Sequence, residues 1–420
     1  MYESLAFALR DCPLVFSRPK IHGDKSVWLE YDPNDPNWPV IEFQDTELTY
    51  GELEACGFAE SLVKKYHLDM PLLDSRVTAS FDSPLLLFKA SYLGDGGVAL
   101  FSMRNHILLD GNSAFSFISH WAKCHRALSD TSSQPAIEAM PMALIGETDC
   151  APFSSLTEIS MDATRSPGDI AASRLRVLGP GDKCEWVFRI DMADLRRMKQ
   201  DVMGRGTLFN EGEWVSSNNV LAAFIAQCVG RASIKGNAYE EGPWIVSLAL
   251  DMRHKLGLPL RGLGTPIHFT EHRLSNAELV DPAELPLLAK SLRQSIDRCS
   301  REYLQKAMAW IDVSYRQMCR VGEEPWNRFW LTAMDANLRS ISVSCMDKIP
   351  IYDADFGDGC PGMARSIGVR LNDIIAFLAP HLPGTTHDSL HLHVSLERPV
   401  MEALVDDPEW SKICTLLSAS

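Results

Sequence analysis

What this chain lacks narrows its identity first. Nowhere do apolar residues run for the roughly 20 positions a bilayer crossing needs, so no membrane association is expected. The opening Met1-Tyr2-Glu3-Ser4-Leu5 has no basic segment of the secretory kind, and no Asn-x-Ser/Thr sequon occurs anywhere. The 11 cysteines are odd in number and scattered, with no Cys-x-x-Cys pair. That fits reduced thiols in the cytoplasm and argues against a disulfide frame or a zinc centre, so no metal is expected. Positive charge is scarce: 40 Lys and Arg stand against 55 Asp and Glu, a net charge of −15. Such a surface repels phosphate backbones and disfavours nucleic acid as a partner, while leaving room for a local basic patch around an anionic co-substrate. Internal repeats are absent. Asp355-Phe356-Gly357 has the composition of a kinase magnesium loop, but no Gly-rich loop or His-Arg-Asp segment accompanies it.

What is present reads as soluble and globular, with 46% hydrophobic and 23% charged residues. At 420 residues the chain exceeds one ordinary core, so two domains are expected. Residues 1–150 and 186–420 carry periodic segments. Residues 151–185 fall where periodicity fades and Ser, Pro and Gly accumulate, and read as a crossover. Alternation predicts strands at 27–31, 40–43, 85–92, 98–103, 186–190, 244–250, 341–343, 349–352, 374–378 and 390–396. Helical spacing predicts helices at 4–10, at 49–65 with Thr49 and Glu52 as a capping box, and from 111 through Ala114, Phe117, Ile118 and Trp121. Further helices follow around Leu195 to Val202, after a Ser217 cap, and over 283–311.

The most informative stretch runs from Ala99 to Gly111. A buried-strand pattern ends in His106; Asp110 and Gly111 follow, and a helix pattern starts at once. A neutral imidazole titrates near pH 6.5 and can take a proton at neutral pH if a rigid element aims it at a substrate. A strand-to-turn junction does that, and Gly111 would leave room for a ligand. Asp110 need not touch the ring; it could anchor the turn through a distant cation. Alone, His-x-x-x-Asp-Gly is a weak signal, and more often describes a surface histidine beside a helix-capping aspartate. Elsewhere, His391 and His393 share one face of a strand, read as half-exposed rather than metal-binding. Cys345 and Cys360 read as buried packing thiols, and Lys64-Lys65 and Arg196-Arg197 as solvated helix faces.

Context adds to this reading. The order strand, His106-Ile107-Leu108-Leu109-Asp110-Gly111, then Phe115, Phe117 and Trp121 resembles the BAHD acyltransferases. Their second hallmark, Asp-Phe-Gly-Trp-Gly, is matched at four of five positions by Asp355-Phe356-Gly357-Asp358-Gly359. Ser216 to Ala232 and the strand ending Asp251-Met252-Arg253 also look like family segments. The resemblance implies an α/β (α+β) fold: two chloramphenicol-acetyltransferase-like domains, each a mixed sheet with helices, and a tunnel between them. It implies His106 as general base, with Asp110 paired to Arg253 as a structural brace. Gly111, Asp355 and Gly357 would be structural too, and Ser216 and Ser217 would contact the cofactor. Acyl-CoA would be a co-substrate, with no permanently bound cofactor, and a small specialised metabolite would accept an acyl group, acetyl by default. A monomer is expected. The same fold would also serve carrier-protein-dependent condensation, cyclisation or isomerisation of a polyketide-like substrate, or non-catalytic metabolite binding. Three departures stand out: Asp358 in place of Trp, Leu263-Gly264-Thr265-Pro266 in place of the usual Gly-Asn-Ala segment, and a short stretch before His106.

Overall fold

The computed structural model describes residues 1–10, 12–23, 27–58, 60–66, 84–105, 109–129, 140–142, 182–205, 208–236, 244–320, 339–346, 348–364, 374–379 and 389–419. His106, and all of 151–181 in the expected crossover, lie outside the described residues.

The first half is built on a small sheet. After α1 (Tyr2–Leu9), β1 (Arg18–Ile21) pairs antiparallel with β2 (Val27–Glu30). Next come β3 (Val40–Asp45), α2 (Tyr50–Ala55), α3 (Glu60–Lys65), β4 (Leu86–Tyr92), β5 (Val98–Arg104) and α4 (Gly111–Ser129). The expected hairpin forms: β4 lies between a parallel β3 and an antiparallel β5, with Leu86 opposite Arg104. Leu85, Leu86 and Phe88 pack against Ala114, Phe117, Ile118 and Trp121 of α4, while Leu5, Ala8 and Leu9 of α1 close the same core. These apolar positions of α4 recur at helical spacing, which gives it one buried face.

The predicted helix over 49–65 is two helices. The Thr49–Glu52 capping box starts the first, and Gly57 (φ 64°) and Phe58 (φ 56°) end it, since left-handed backbone cannot continue a right-handed helix. β1 was not apparent from its sequence because Pro19 reads as a breaker; it is tolerated in a two-stranded ribbon.

The second half holds a seven-stranded mixed sheet drawn entirely from residues 183–419. Its elements are β6 (Lys183–Asp191), α5 (Met192–Met203), α6 (Ser217–Lys235), β7 (Trp244–Asp251), α7 (Arg253–Leu256), β8 (Ile267–Leu274), α8 (Asn276–Val280), α9 (Leu285–Arg298), α10 (Arg301–Arg320), β9 (Arg339–Ser344), β10 (Ile374–Ala379), β11 (Ser389–Glu397), α11 (Arg398–Val405), α12 (Pro408–Ile413) and β12 (Cys414–Ala419). The strand order is β12-β6-β11-β10-β9-β7-β8. β6 begins inside the expected crossover, at Lys183. α6, nearly all buried, lies in the main core with Trp244, Val246, Leu248, Leu392, Val394 and Trp410.

Three expectations need correction here. Ile349 to Tyr352 is no strand but a run of tight turns ending in a 3-10 turn at Ile351–Asp353, where Pro350 offers no amide to a ladder. The helix expected over 283–311 is broken at Cys299 (ψ 62°). There Lys255 Nζ caps the carbonyls of Ile296 (2.8 Å) and Cys299 (2.6 Å), and Ser300 Oγ accepts from the Tyr303 amide (3.1 Å). The cap of α6 is Ser216, not Ser217.

Candidate active site

β5 ends at Arg104; the Asn105 amide donates to the Leu85 carbonyl (2.9 Å) and the Leu109 amide to the Asn105 carbonyl (3.3 Å). His106 falls between Asn105 and Leu109 in sequence. α4 begins at Gly111. Asp110 Oδ1 accepts from the Ser113 amide (2.8 Å), capping the helix, and its other oxygen, Oδ2, accepts from Arg253 Nη1 at 2.7 Å.

Both members of this pair are buried, Arg253 at 0% side-chain exposure and Asp110 at 3%. Arg253 follows β7 and also meets Asp251 Oδ1 at 3.0 Å. Its Nη2 donates to Ser113 Oγ (2.7 Å) and to the carbonyl of Gly264 (3.1 Å). The Gly264 and Asp110 backbones are themselves joined, amide of Asp110 to carbonyl of Gly264 (3.2 Å). Asn112 Nδ2 donates to Asp251 (2.9 Å) and to the Leu260 carbonyl (2.9 Å). The start of α4 is thus clamped to the end of β7 and the segment that follows it.

Ser113, Gly262 (whose carbonyl accepts from Ser113 Oγ at 2.9 Å) and Gly264 are parts of this clamp that sequence reasoning missed. Gly264 lies within Leu263-Gly264-Thr265-Pro266, one of the departures from the family pattern, and its φ of 146° favours glycine. Nothing in the local sequence ties it to Asp110, about 150 positions earlier. Gly111 needs a correction as well. A Cβ there would meet Met346 Sδ at 3.2 Å and Ile349 Cδ1 at 3.3 Å, so the space beside it is filled by the chain, not left for a ligand.

Asp355 and Gly357 are brought to another part of α4. The Asp355 carbonyl accepts from Arg126, whose Nη1 lies 3.6 Å from the Asp355 carboxylate, and Phe356 meets Trp121 edge-on at 5.2 Å. Arg126 is sixteen residues past Asp110, about 24 Å of helix. Asp355 Oδ1 accepts from the amides of Gly357 (2.8 Å) and Gly359 (3.0 Å), which hold its carboxyl below the usual aspartate range. Both glycines have positive φ, 129° and 104°, as this wrapped turn requires. Asp358 is exposed, so a carboxylate where the family has Trp strands no buried charge.

Ser216 and Ser217 stand at the N-terminus of α6. The Ser216 hydroxyl accepts from the Asn219 amide (3.1 Å) and lies 2.6 Å from Asn219 Oδ1, so it is engaged in the capping box. His393 is buried, not half-exposed, with Nδ1 3.4 Å from Glu185 Oε1, and His391 is half-buried. Among the described residues no group of three or more His, Cys, Asp or Glu is placed to hold a metal ion. Cys345 is half-buried against the main core, and Cys360 is exposed rather than buried.

Comparison with known proteins places these features. The Fusarium graminearum enzyme TRI101, solved with coenzyme A and T-2 mycotoxin, superposes with a TM-score of 0.74 at 19% identity, over 99% of this chain and 90% of that one. The protein therefore has the two-domain chloramphenicol-acetyltransferase-like fold. Residues 67–411 match the Transferase family, and the chain belongs to it. A hydroxycinnamoyl-CoA:5-hydroxyanthranilate N-hydroxycinnamoyltransferase (HHT4) of Avena sativa is 26% identical over 328 residues, 76% of this chain. The match spans 66% of the oat protein, just under two thirds of its length. The O-acyltransferase pigD of Monascus ruber is 24% identical, over 78% of this chain and 69% of that protein.

Proposed function

We propose that this protein is an acyl-CoA-dependent acyltransferase that moves an acyl group, acetyl by default, to a hydroxyl or amine of a small specialised metabolite. His106 is its general base. The observation that carries the reading is the buried Asp110–Arg253 pair, because it fixes the residue four positions after His106 to the second half of the chain. A base works only when held within hydrogen-bond reach of the proton it removes, so such a clamp is what the chemistry asks of the scaffold. Membership of the Transferase family and relatives that act on acyl-CoA or transfer acyl groups support the same conclusion.

In this mechanism His106 takes the proton of the acceptor O–H or N–H as that atom attacks the thioester carbonyl. The tetrahedral oxyanion collapses, the C–S bond breaks, and the CoA thiolate takes the proton back from the imidazolium. No acyl-enzyme is formed. Ser216 and Ser217 at the start of α6 are proposed to contact the CoA moiety from a helix N-terminus, which favours phosphate. The enzyme is proposed to act in the cytoplasm as a monomer.

Incubation with acetyl-CoA and a host metabolite extract, followed by mass spectrometry, should reveal an acylated product. His106→Ala should abolish it while the melting temperature holds. Near-normal product from a folded His106→Ala protein would refute the assignment.

A further inference from the structure

Asn112 is the second residue of α4, six positions after His106 in sequence. It is half-buried, and its side chain ties two distant segments together. Nδ2 donates to Asp251 Oδ2 and to the Leu260 carbonyl, each at 2.9 Å, across 139 and 148 positions. Oδ1 accepts from Ser116 Oγ at 3.3 Å. The chemistry fixes the orientation of this amide. Turned over, it would set its carbonyl against a carboxylate and a backbone carbonyl, neither of which donates. Asn112 therefore presents two N–H donors to two acceptors, which an ionised aspartate in its place could not do.

This tie differs from the Asp110–Arg253 pair in where it grips. Asp110 and Ser113 hold the first turn of α4 from its buried side, through Arg253. Asn112 lies about 200° round the helix from Asp110 and grips nearer the surface. Its partner is shared: Asp251 Oδ1 takes the Arg253 amide (2.9 Å) and Nη1 (3.0 Å), leaving Oδ2 to Asn112. A buried contact holds the helix in place, while a second contact well round the axis fixes its rotation. Near solvent, such a hydrogen bond adds little to stability, because water competes for both partners.

We propose that Asn112 is a positioning residue: it fixes the rotation of the first turn of α4 against the segment after β7, and with it the aim of the base six residues earlier. The inference rests on the acyltransferase reading with His106 as that base. Misplacing a reacting group by about 1 Å costs about a hundredfold in rate. Loss of Asn112 should accordingly lower turnover far more than it lowers stability.

Acetyl-CoA with a fixed amount of host metabolite extract, read by product mass spectrometry, tests it on the full chain. Asn112→Ala should lower the apparent kcat about tenfold to a hundredfold and leave the apparent KM for acetyl-CoA within about twofold. Its melting temperature and its calorimetric affinity for CoA should hold. Asn112→Asp is the second variant. Its carboxylate would face that of Asp251, while the nearby cations are engaged: Arg253 by Asp110 and Asp251, and Arg261, next to Leu260 in sequence, by Asp353 (3.1 Å). Two facing carboxylates raise the pH at which one takes a proton, and the protonated side chain donates to Asp251 again. The activity of Asn112→Asp relative to wild type should thus climb as pH falls from about 8 to about 6. Unchanged turnover in Asn112→Ala, or a relative activity of Asn112→Asp that is flat in pH, overturns the proposal. So does a loss of turnover in Asn112→Ala that only matches a loss of folded protein, which would make Asn112 a clamp of the fold alone. A wild-type protein that forms no acylated product overturns the acyltransferase reading and this proposal with it, whereas an active wild type with an equally active Asn112→Ala overturns the proposal alone.

Discussion

Removing the Asp110 carboxylate should destabilise the protein severely, and the structure lets the size be worked out. Asp110→Ala strands the guanidinium of Arg253, which has no solvent exposure. Losing one partner of a buried pair costs about 3–5 kcal/mol. The value here belongs at the low end, near 3, because Asp251 remains 3.0 Å from the same guanidinium and the Gly264 carbonyl still accepts from it. The substitution also removes the cap on α4, where Asp110 Oδ1 accepts from the Ser113 amide, for about 1 kcal/mol more. The total is about 4 kcal/mol, a large share of the stability of an ordinary domain. Asp110→Asn keeps one oxygen for the Ser113 amide but turns an N–H₂ toward Arg253 Nη1, so it should lose the pair and keep the cap, at about 3 kcal/mol. Removing both charges, Asp110→Ala with Arg253→Met, should be less damaging than the sum of the single changes. Urea unfolding followed by tryptophan fluorescence, with the slope held constant, reads these differences. An unchanged midpoint in Asp110→Ala, or a double variant at least as unstable as the sum, would refute the brace.

Gly230→Ala should destabilise even though alanine is the better helix former by about 1 kcal/mol. The added Cβ would lie 2.4 Å from Leu279 Cδ2 and 2.5 Å from its Cγ, a buried branch point that cannot swing aside. Overpacking of this kind costs about 1–3 kcal/mol, and Leu279→Ala in the same chain should relieve part of the clash; a higher melting temperature for Gly230→Ala alone would contradict it. Acid should weaken the fold through His268, whose pKa burial pushes down to about 4, with the nearby Lys255 adding to the effect. Unfolded histidine titrates near 6.5, so between these values the unfolded chain binds the extra proton and stability falls as pH falls. The full effect is about 3 kcal/mol, present above pH 6.5 and lost on the way to pH 4. His268→Phe keeps a ring edge-on to Tyr303 and should flatten the pH dependence of the urea midpoint over this window, leaving a smaller slope of the same sign from His272, which burial also lowers; an unchanged slope would contradict the reading.

The elements that could be read from the sequence are those whose pattern is local. The β4–β5 hairpin, α4 with its Ala114, Phe117, Ile118 and Trp121 face, and the Thr49–Glu52 capping box need only neighbouring residues to declare themselves. The break at Cys299 does not, because a lysine 44 residues away caps it. β8 does not either: His268, Thr270 and His272 alternate with Phe269 and Glu271, and only the pairing with β7 selects a strand. Polarity also misled at His393, where strand spacing was right but the face is buried, with Glu185 across the adjacent strand.

The site was legible to the same extent and for the same reason. His106, Asp110 and Gly111 mark a turn in one short stretch, but a turn alone states nothing about what holds it. Asp110 meets Arg253 across 143 positions, and Ser113 meets Gly264 across 151. These contacts join segments that follow strands of two different sheets, β5 and β7. The resemblance to a known family could point to Arg253, because that residue sits in a recognisable Asp-x-Arg. It could not point to Gly264, because this chain departs from the family pattern there. A clamp of this kind has a consequence for how the protein tolerates change. Asp110 and Gly111 are constrained by what they touch in the other half, so a substitution at Gly111 should act through Met346 and Ile349 before it acts on any ligand. Loss of turnover at Gly111 would accordingly come with a lower melting temperature, whereas loss at His106 would not.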